Sequence, residues 1–483
     1  MSKLYLFAIG GSGSRVVRSL VMLMSAGVEL NATKIKLMII DPDRGGGNVR
    51  EVLNILSAYK TVNRDLVNQP NDFQNRFCYI PIEPMIPGNF YVTGVDELDS
   101  KRRDAGEGED REKEIRVAFN EAGMNEENKA LFQALYADDE RGNDVKNGSL
   151  GRQHVGALGI TKLLDSVGFR AAFADFAEGD RIFIVSSIFG GTGASGFPML
   201  LRKLVGGVDN SLQNKESLIY AQKGAIILFP YFQVAEEKNS PIDGQLFTQK
   251  KITTLEYYQK NLQGLARLYY LSDRDHQPQY NHSLGGEKQK NPAHLVEFLA
   301  ATAVIDFMEM ADRTGETQYM EYRMGRYIER RVTFDDLASI TRNLVRKPMT
   351  QFLLMVRYIQ LDALNSDTAW YKDLGSFFRE DAYREGLELL KNFYILWLED
   401  LRGSLEQTSR SFAPFILEPP AEEPFKFFPE TSNANLEAFR TTLNKIVQKV
   451  KKNGQSNVIS FMELFWRATR KMVEGESAPK FHF

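Results

Sequence analysis

Through the first half of the chain, short unbroken apolar runs alternate with longer stretches in which apolar residues return every three or four positions. "LYLFAIG" (Leu4 to Gly10) predicts a strand, and "SRVVRSLVMLMSAG" predicts a helix ending at Gly27. "IKLMIID" (Ile35 to Asp41) predicts a second strand, followed by the helix "NVREVLNILSAY", and "RFCYIPI" a third strand. "DRIFIVSSI" (Asp180 to Ile188), "KGAIILFPYF" (Lys223 to Phe232) and "LARLYYLSD" (Leu265 to Asp273) add three more, with the helix "GFPMLLRKLV" after the first of them. Strands without polar alternation are buried on both faces. The pattern therefore predicts an α/β fold, a parallel sheet with helices on both faces.

From about Asn291 the period becomes helical. "PAHLVEFLAATAVIDFMEMAD" predicts a long, buried, central helix, and "TFDDLASITRNLV" a helix capped by Thr333 with Asp335 and Asp336 in its first turn. "MTQFLLMVRYIQLDAL", "YREGLELLKNFYILWLEDLRGSL", "NLEAFRTTLNKIVQKVKK" and "SFMELFWRATRKMVEG" extend a mainly helical C-terminal part, interrupted by a Pro-rich loop. The charge-dense "DSKRRDAGEGEDREKE" (Asp99 to Glu114) reads as a solvated insertion. We expect three parts: an α/β domain over 1–310 that includes the central helix, a segment with its following helix over 311–345, and a mainly helical domain over 346–483.

Composition narrows the classes of function. The chain has 483 residues, beyond the range of one compact core, so more than one domain is expected. Sixty basic and 63 acidic side chains leave a net charge of −3, which gives no general attraction to nucleic acid or anionic lipid. The single cysteine, Cys78, excludes an internal disulfide and fits a reducing compartment. No apolar run is long enough to span a bilayer, and "MSKLYLFAIGGSGS" leads into glycines instead of a cleavage site, so a cytoplasmic protein is expected. The histidines show no metal-ligand spacing, and no nucleophile–His–acid set can be drawn.

Candidate chemistry lies in the glycine clusters that follow the strands. The first holds Gly10, Gly11, Ser12, Gly13, Ser14 and Arg15; the second holds Gly190, Gly191, Thr192, Gly193, Ala194, Ser195 and Gly196. Lacking Cβ atoms, such loops bring backbone N–H groups and a helix start close to phosphate oxygens. A third segment, "NGSLGRQHVGALG", carries Gly148, Gly151 and Arg152 just before a helical run. None is a P-loop, because no Lys-Ser/Thr pair follows the glycines. The first cluster also departs from the dinucleotide fingerprint, with Val16 in place of the third glycine. Asp41, at the end of the second strand, nevertheless suits a ribose-binding acid, so a Rossmann-type dinucleotide enzyme stays open.

In this arrangement the loops resemble those of the tubulin/FtsZ superfamily. "GGTG" (Gly190 to Gly193) matches the core of that family's GGGTG(S/T)G sequence, and Pro198 stands where bacterial cell-division members carry proline. Phe189 replaces the first glycine of the family sequence, and Ala194-Ser195 its Ser/Thr-Gly pair. "GGSGSRVV" resembles the first nucleotide loop, "IIDPD" with Asp41 and Asp43 the second, and "GSLGRQHVG" the loop near the γ-phosphate. "RVTFDDLASI" resembles the synergy loop, which completes a neighbouring subunit's GTPase site. There Asp336, with Asp335 beside it, falls on the acid that positions water, while Thr333 and Arg331 replace its other acid and its asparagine. Asn291 and His294 fall nearest the base-reading pair. The resemblance covers residues 1–345 and identifies a divergent prokaryotic member. It implies GTP or GDP with Mg²⁺ as ligands and head-to-tail self-association into filaments. It also implies hydrolysis coupled to that assembly, with the C-terminal helices available to protein partners. A nucleotide-binding adaptor with little hydrolysis is the alternative, and plain helix capping is the alternative for Asp335, Asp336 and His294.

Overall fold

The computed structural model describes residues 2–43, 45–93, 114–142, 153–205, 212–234, 244–273, 278–280, 286–287, 289–312, 316–321, 331–362, 367–403, 411–428, 436–451 and 455–474. Its centre is a parallel sheet of β1 (Leu4–Ile9), β2 (Ile35–Ile40), β3 (Ile82–Pro84), β4 (Tyr91–Val92), β5 (Arg181–Ser187), β6 (Lys223–Leu228), β7 (Arg267–Leu271) and β8 (Gln318–Glu321). The strands lie in the order β8-β7-β6-β5-β1-β2-β3, with β4 pairing the end of β2. All pairings within this sheet are parallel, as expected for strands whose apolar runs are unbroken.

The longer helices around it, with shorter ones between, include α1 (Gly10–Ser25), α2 (Gly47–Leu66), α3 (Gln153–Leu164), α4 (Gly191–Val205), α5 (Gly244–Asn261), α6 (Leu295–Glu309), α7 (Ser339–Asp362), α8 (Glu388–Arg402), α9 (Leu436–Val450) and α10 (Asn457–Glu474). Side-chain alternation along β1 assigns the two faces. Tyr5 stacks on Phe173, Phe7 packs at a tilt on Phe169, and Ile9 meets Gly196 of α4. On the opposite face Ala8 meets Gly13 of α1, and Phe183, in register with Leu6, packs on Phe307 of α6. The expected parallel sheet with helices on both faces is what forms.

Beyond residue 345 the described chain is almost wholly helical, also as expected. These helices pack on the outer side of α1, α2 and α6. Trp397 of α8 donates to Ser19 Oγ at 3.1 Å, and Trp466 of α10 stands edge-on to Phe77. Glu463 of α10 accepts from the Gln74 and Asn75 N–H groups at 2.8 and 2.7 Å. One hydrophobic core runs from the sheet through this helical layer. No described helix is long and apolar enough to cross a membrane.

One strand differs from expectation. "RFCYIPI" does not pair over its length: Cys78 has φ +50°, and the Asn63 amide donates to the Cys78 and Tyr79 carbonyls at 2.8 and 3.0 Å. With those acceptors taken by a side chain, pairing with β2 begins at Ile82.

Candidate functional site

The chain moves one way from β1 to β2 and β3, then returns to lay β5 on the other side of β1 and continues to β6, β7 and β8. The reversal leaves a topological switch point between β1 and β5, and ligands of open parallel sheets bind beyond the strand ends at such a point. Both glycine clusters sit there, the first opening α1 directly after β1 and the second opening α4 just after β5.

The two loops also touch. Gly10 has φ +74°, a left-handed conformation that favours glycine, and a Cβ built on it would lie 3.7 Å from Gly193 N and 3.8 Å from Thr192 Cβ. The glycines divide by task. Gly13 lets α1 approach the sheet, since a Cβ there would stand 2.8 Å from the Ala8 carbonyl carbon. Gly193 packs against Ser187, and Gly196 against Ile160 and Ile9. Gly11 faces open space, with nothing within 4 Å of a built Cβ.

Helix α1 enters this site without a cap. Its N-cap residue is Ile9, no side chain accepts from its first turn, and that turn carries no acid. At α2, by contrast, the Gly47 and Asn48 N–H groups donate to the Gly286 and Gln289 carbonyls. Among the described residues no side chain caps the start of α1, which leaves its first N–H groups able to meet an anion.

The hydroxyls are less available than the sequence suggests. Ser14 Oγ lies 3.3 Å from the Gly10 carbonyl and Ser195 Oγ donates to the Gly191 carbonyl at 2.8 Å, both back-bonding within their own helices. Ala194 presents its carbonyl to the Tyr258 hydroxyl at 3.0 Å. Gly190 and Gly191 form the turn into α4, and Thr192 is buried beside Gly10.

Arg15, expected among the phosphate ligands, is buried and committed elsewhere. Its Nε donates to Glu297 Oε1 at 2.5 Å and its Nη2 to the Tyr231 hydroxyl at 2.6 Å, while Tyr231 donates to the same Glu297 oxygen at 2.7 Å. Glu297 Oε2 accepts from the His294 N–H at 3.1 Å. His294 caps α6 in a capping box, its Nδ1 accepting from Val296 N–H at 3.1 Å, which is the alternative held open for it. Asn291 donates through its backbone to Asn48 Oδ1 at 3.0 Å. Removing one member of such a buried charge pair typically costs about 3–5 kcal/mol. Aromatic rings enclose the cluster: Phe189 is edge-on to Tyr231 and Phe232, and Phe232 packs on Tyr280.

On the other flank, the chain leaving β2 carries Asp41 and Asp43, both buried. Asp41 Oδ1 accepts from Asp43 N–H at 3.0 Å; Asp43 accepts from Gly45 N–H at 3.0 Å and Gly286 N–H at 2.8 Å. Burial, with the nearby Asp43 charge adding to it, pushes the Asp41 carboxyl from its ordinary 3.8 up to about 7.

Of the synergy-like acids, Asp336 is buried, and its Oδ2 accepts from the Thr333 N–H at 2.8 Å and hydroxyl at 2.9 Å, a capping box on a single 3₁₀ turn. Asp335 is the exposed one and pairs with Arg346 at 3.0 Å. Gly148, Gly151 and Arg152 lie outside the described residues. Among the described residues no group of three or more His, Cys, Asp or Glu could hold a metal ion.

Sequence reasoning missed three features here. Gly156 of α3 lies against the second loop, where a Cβ would stand 2.7 Å from the Gly191 carbonyl oxygen. Glu297 is the partner of Arg15, and its signal was present in His294-x-x-Glu297, a capping-box spacing at the start of an apolar helix. Tyr231 and Phe232, read as a strand end, form the aromatic wall.

No family model matches the chain, and no curated protein sequence matches it. Among solved structures it is similar to CetZ from Methanosaeta thermophila strain DSM 6194, at 12% identity and a TM-score of 0.27, covering 56% of this chain and 46% of that one. It is also similar to CetZ2 from Haloferax volcanii, solved as a GTPγS-bound protofilament, at 11% identity and a TM-score of 0.30, covering 64% of this chain and 58% of that one. CetZ1 from Haloferax volcanii, solved as a GDP-bound monomer, matches at 12% identity and a TM-score of 0.31, covering 64% and 61%. The match thus spans about half to three fifths of the length of those proteins.

Proposed function

We propose that the chain is a tubulin-like GTP-binding protein that holds the nucleotide's phosphates at the β1/β5 switch point and associates head to tail. One observation carries the reading. Two glycine-rich loops from adjacent central strands meet there, Gly10 against Gly193 and Thr192, each opening a helix. The cradle suits a phosphate chain: Gly11 leaves room, and the uncapped first turn of α1 supplies donors. The loop order along the sequence, with its resemblance to tubulin and FtsZ, supports GTP as that nucleotide.

A Mg²⁺ ion would come in on the phosphates, since the described residues offer no protein cage for one and this metal is commonly held by phosphate oxygens and water. When bound, it would neutralise charge on the β- and γ-oxygens. Backbone N–H groups of Gly11, Ser12 and Gly193 would hold and orient the phosphates.

A second reading is favoured by Asp336. Its carboxylate is satisfied by Thr333 within its own turn, so a single chain has no acid free in that position to orient water. On that reading the protein is an adaptor that binds nucleotide and turns it over slowly or not at all, with its helical layer meeting partners.

The test is nucleotide extracted from purified protein and identified by absorbance and mass, followed by turnover measured against chain concentration. Guanine nucleotide, with turnover rising more than linearly and GTP-dependent filaments on sedimentation, is expected for the assembling GTPase. Guanine nucleotide with flat, negligible turnover selects the adaptor. NAD, or no nucleotide at any concentration, overturns the proposal.

A further inference from the structure

The helical layer reaches the nucleotide end of the sheet through one carboxylate. Asp400 lies in the last turn of α8, where an acid faces the negative end of the helix dipole and does nothing for its own helix. Its Oδ2 accepts instead from Arg18 Nη2 of α1 at 2.9 Å and from the Ala293 N–H, two residues before α6, at 3.0 Å. One turn earlier, Trp397 donates to Ser19 of α1 and packs on Phe298 in the first turn of α6.

The segment entering α6 is held from its other side by the start of α2. Gly47 and Asn48 donate to the Gly286 and Gln289 carbonyls, Asn48 Oδ1 accepts from the Asn291 N–H, and Asp43 accepts from the Gly286 N–H. Lys290 Nζ stands 3.3 Å from Glu51, and Glu51 stands 3.5 Å from Arg18 Nη1. Arg18 and Glu51 are buried. A line of alternating charges, Lys290–Glu51–Arg18–Asp400, thus runs from this segment through α2 and α1 to the helical layer. The same segment leads into His294 and Glu297, and Glu297 holds Arg15 of α1 just beyond the glycine cradle.

We infer that Asp400 is a positioning residue for the nucleotide: it fixes segment 289–294 against α1, so that ligand binding and seating of the helical layer reinforce each other. The proposal rests on the nucleotide reading above, whose resemblance sets Asn291 and His294 nearest the base, and adds the helical layer as a determinant of affinity. Such coupling is reciprocal: what the seated layer adds to nucleotide affinity, the nucleotide returns to the seating of the layer. A residue that only stabilises the fold leaves the affinity of the folded protein unchanged.

The experiment is titration of full-length wild-type, Asp400→Asn and Glu463→Gln proteins with GTP and inorganic tripolyphosphate. Exchange of the amides of residues 395–402 is followed by mass spectrometry with and without GTP. Asp400→Asn keeps an acceptor for the Ala293 N–H and loses the charge that holds Arg18. It is expected to bind GTP about tenfold more weakly than wild type, and tripolyphosphate within about twofold of it. GTP is expected to slow exchange at 395–402 in wild type, and to slow it less in Asp400→Asn. Glu463→Gln loosens α10 from the Gln74 and Asn75 N–H groups, away from α6, and is expected to keep wild-type GTP affinity. Unchanged GTP affinity in Asp400→Asn, an equal loss of tripolyphosphate binding, or an equal loss of GTP binding in Glu463→Gln overturns the inference. So does wild-type exchange at 395–402 that GTP leaves unaltered, a reading that needs no variant. Wild-type protein that binds neither GTP nor tripolyphosphate overturns the nucleotide reading itself, so the two failures are distinct.

Discussion

Asp41 should make the unliganded fold less stable as pH rises, and replacing it by Asn should remove that loss. In the fold its carboxyl ionises at about 7 instead of 3.8. A carboxyl that holds its proton more tightly folded than unfolded favours the fold in acid. Its contribution declines as pH rises from the unfolded value to the folded one and is constant above about 7. At about 1.36 kcal/mol per pH unit, the interval from pH 5 to the folded pKa corresponds to a loss of ~3 kcal/mol. For a chain of 483 residues, unfolding entropy of ~2.1 cal/mol/K per residue makes ~1 kcal/mol worth about 1 °C. The assay is the thermal midpoint of wild type and Asp41→Asn, both free of nucleotide, at pH 5 and pH 8. The midpoint of Asp41→Asn relative to wild type is expected to rise by about 3 °C between the two pH values. The groups facing Asp41 do not cancel this, since the Asp43 N–H lowers its pKa while burial and the Asp43 charge raise it. A gap that stays constant between pH 5 and pH 8, or a variant less stable than wild type at pH 8, would refute the reasoning. The expected outcome is a buried acid whose ionisation costs the fold stability.

Glu297→Gln should lower stability by about 3–5 kcal/mol because it strands the buried Arg15 guanidinium, and adding Arg15→Met should recover most of the loss; denaturant titration of the double-mutant cycle reads the coupling. Gly156→Ala places a Cβ 2.7 Å from the Gly191 carbonyl oxygen. Overpacking of this kind costs about 1–3 kcal/mol, and here it should also weaken tripolyphosphate binding because the strain falls on the cradle. Arg181→Met removes donors to the Phe307, Met308 and Met310 carbonyls at the end of α6. It should cost about 1.5–3 kcal/mol in thermal or chemical unfolding and leave tripolyphosphate affinity unchanged. Asp336→Ala should lower stability by about 1 kcal/mol through the lost cap; turnover that survives it unchanged removes Asp336 from any hydrolytic role.

The parts of the fold legible in the sequence were those set by local pattern. β1, β2 and β5 are unbroken apolar runs whose predicted limits lie within a residue of the observed ones, whereas the run predicted for β6 extends four residues beyond its end at Leu228. Gly27, with φ +81°, ends the first helix region as a left-handed residue should. What was not legible depends on partners far away in the chain. Arg15 finds Glu297 across 282 positions, and Gly156 meets the Gly191 carbonyl through packing that no spacing rule encodes. The short strand β8 has too few residues for its pattern to stand out. "RFCYIPI" had the composition of a strand, and Asn63, from the preceding helix, claimed the carbonyls that pairing would have used.

The departures from the tubulin and FtsZ glycine sequence take on a physical meaning in this setting. Ala194-Ser195 lies inside the first turn of α4, where Ser195 bonds back to Gly191, so the altered pair changes the helix more than the cradle. Phe189 is the substitution with a consequence. A glycine there would leave room beside the switch point, and the ring instead closes on Tyr231 and Phe232. That closure coincides with the use of Arg15 as an internal counter-ion instead of a phosphate ligand. Both changes fill the same flank. A single-site change such as Phe189→Gly would open a cavity in this wall without freeing Arg15, because Glu297 and Tyr231 still hold it. The filled flank therefore holds Arg15 through more than one partner, and Phe189→Gly alone should destabilise the chain by opening a cavity while leaving the Arg15–Glu297 pair in place.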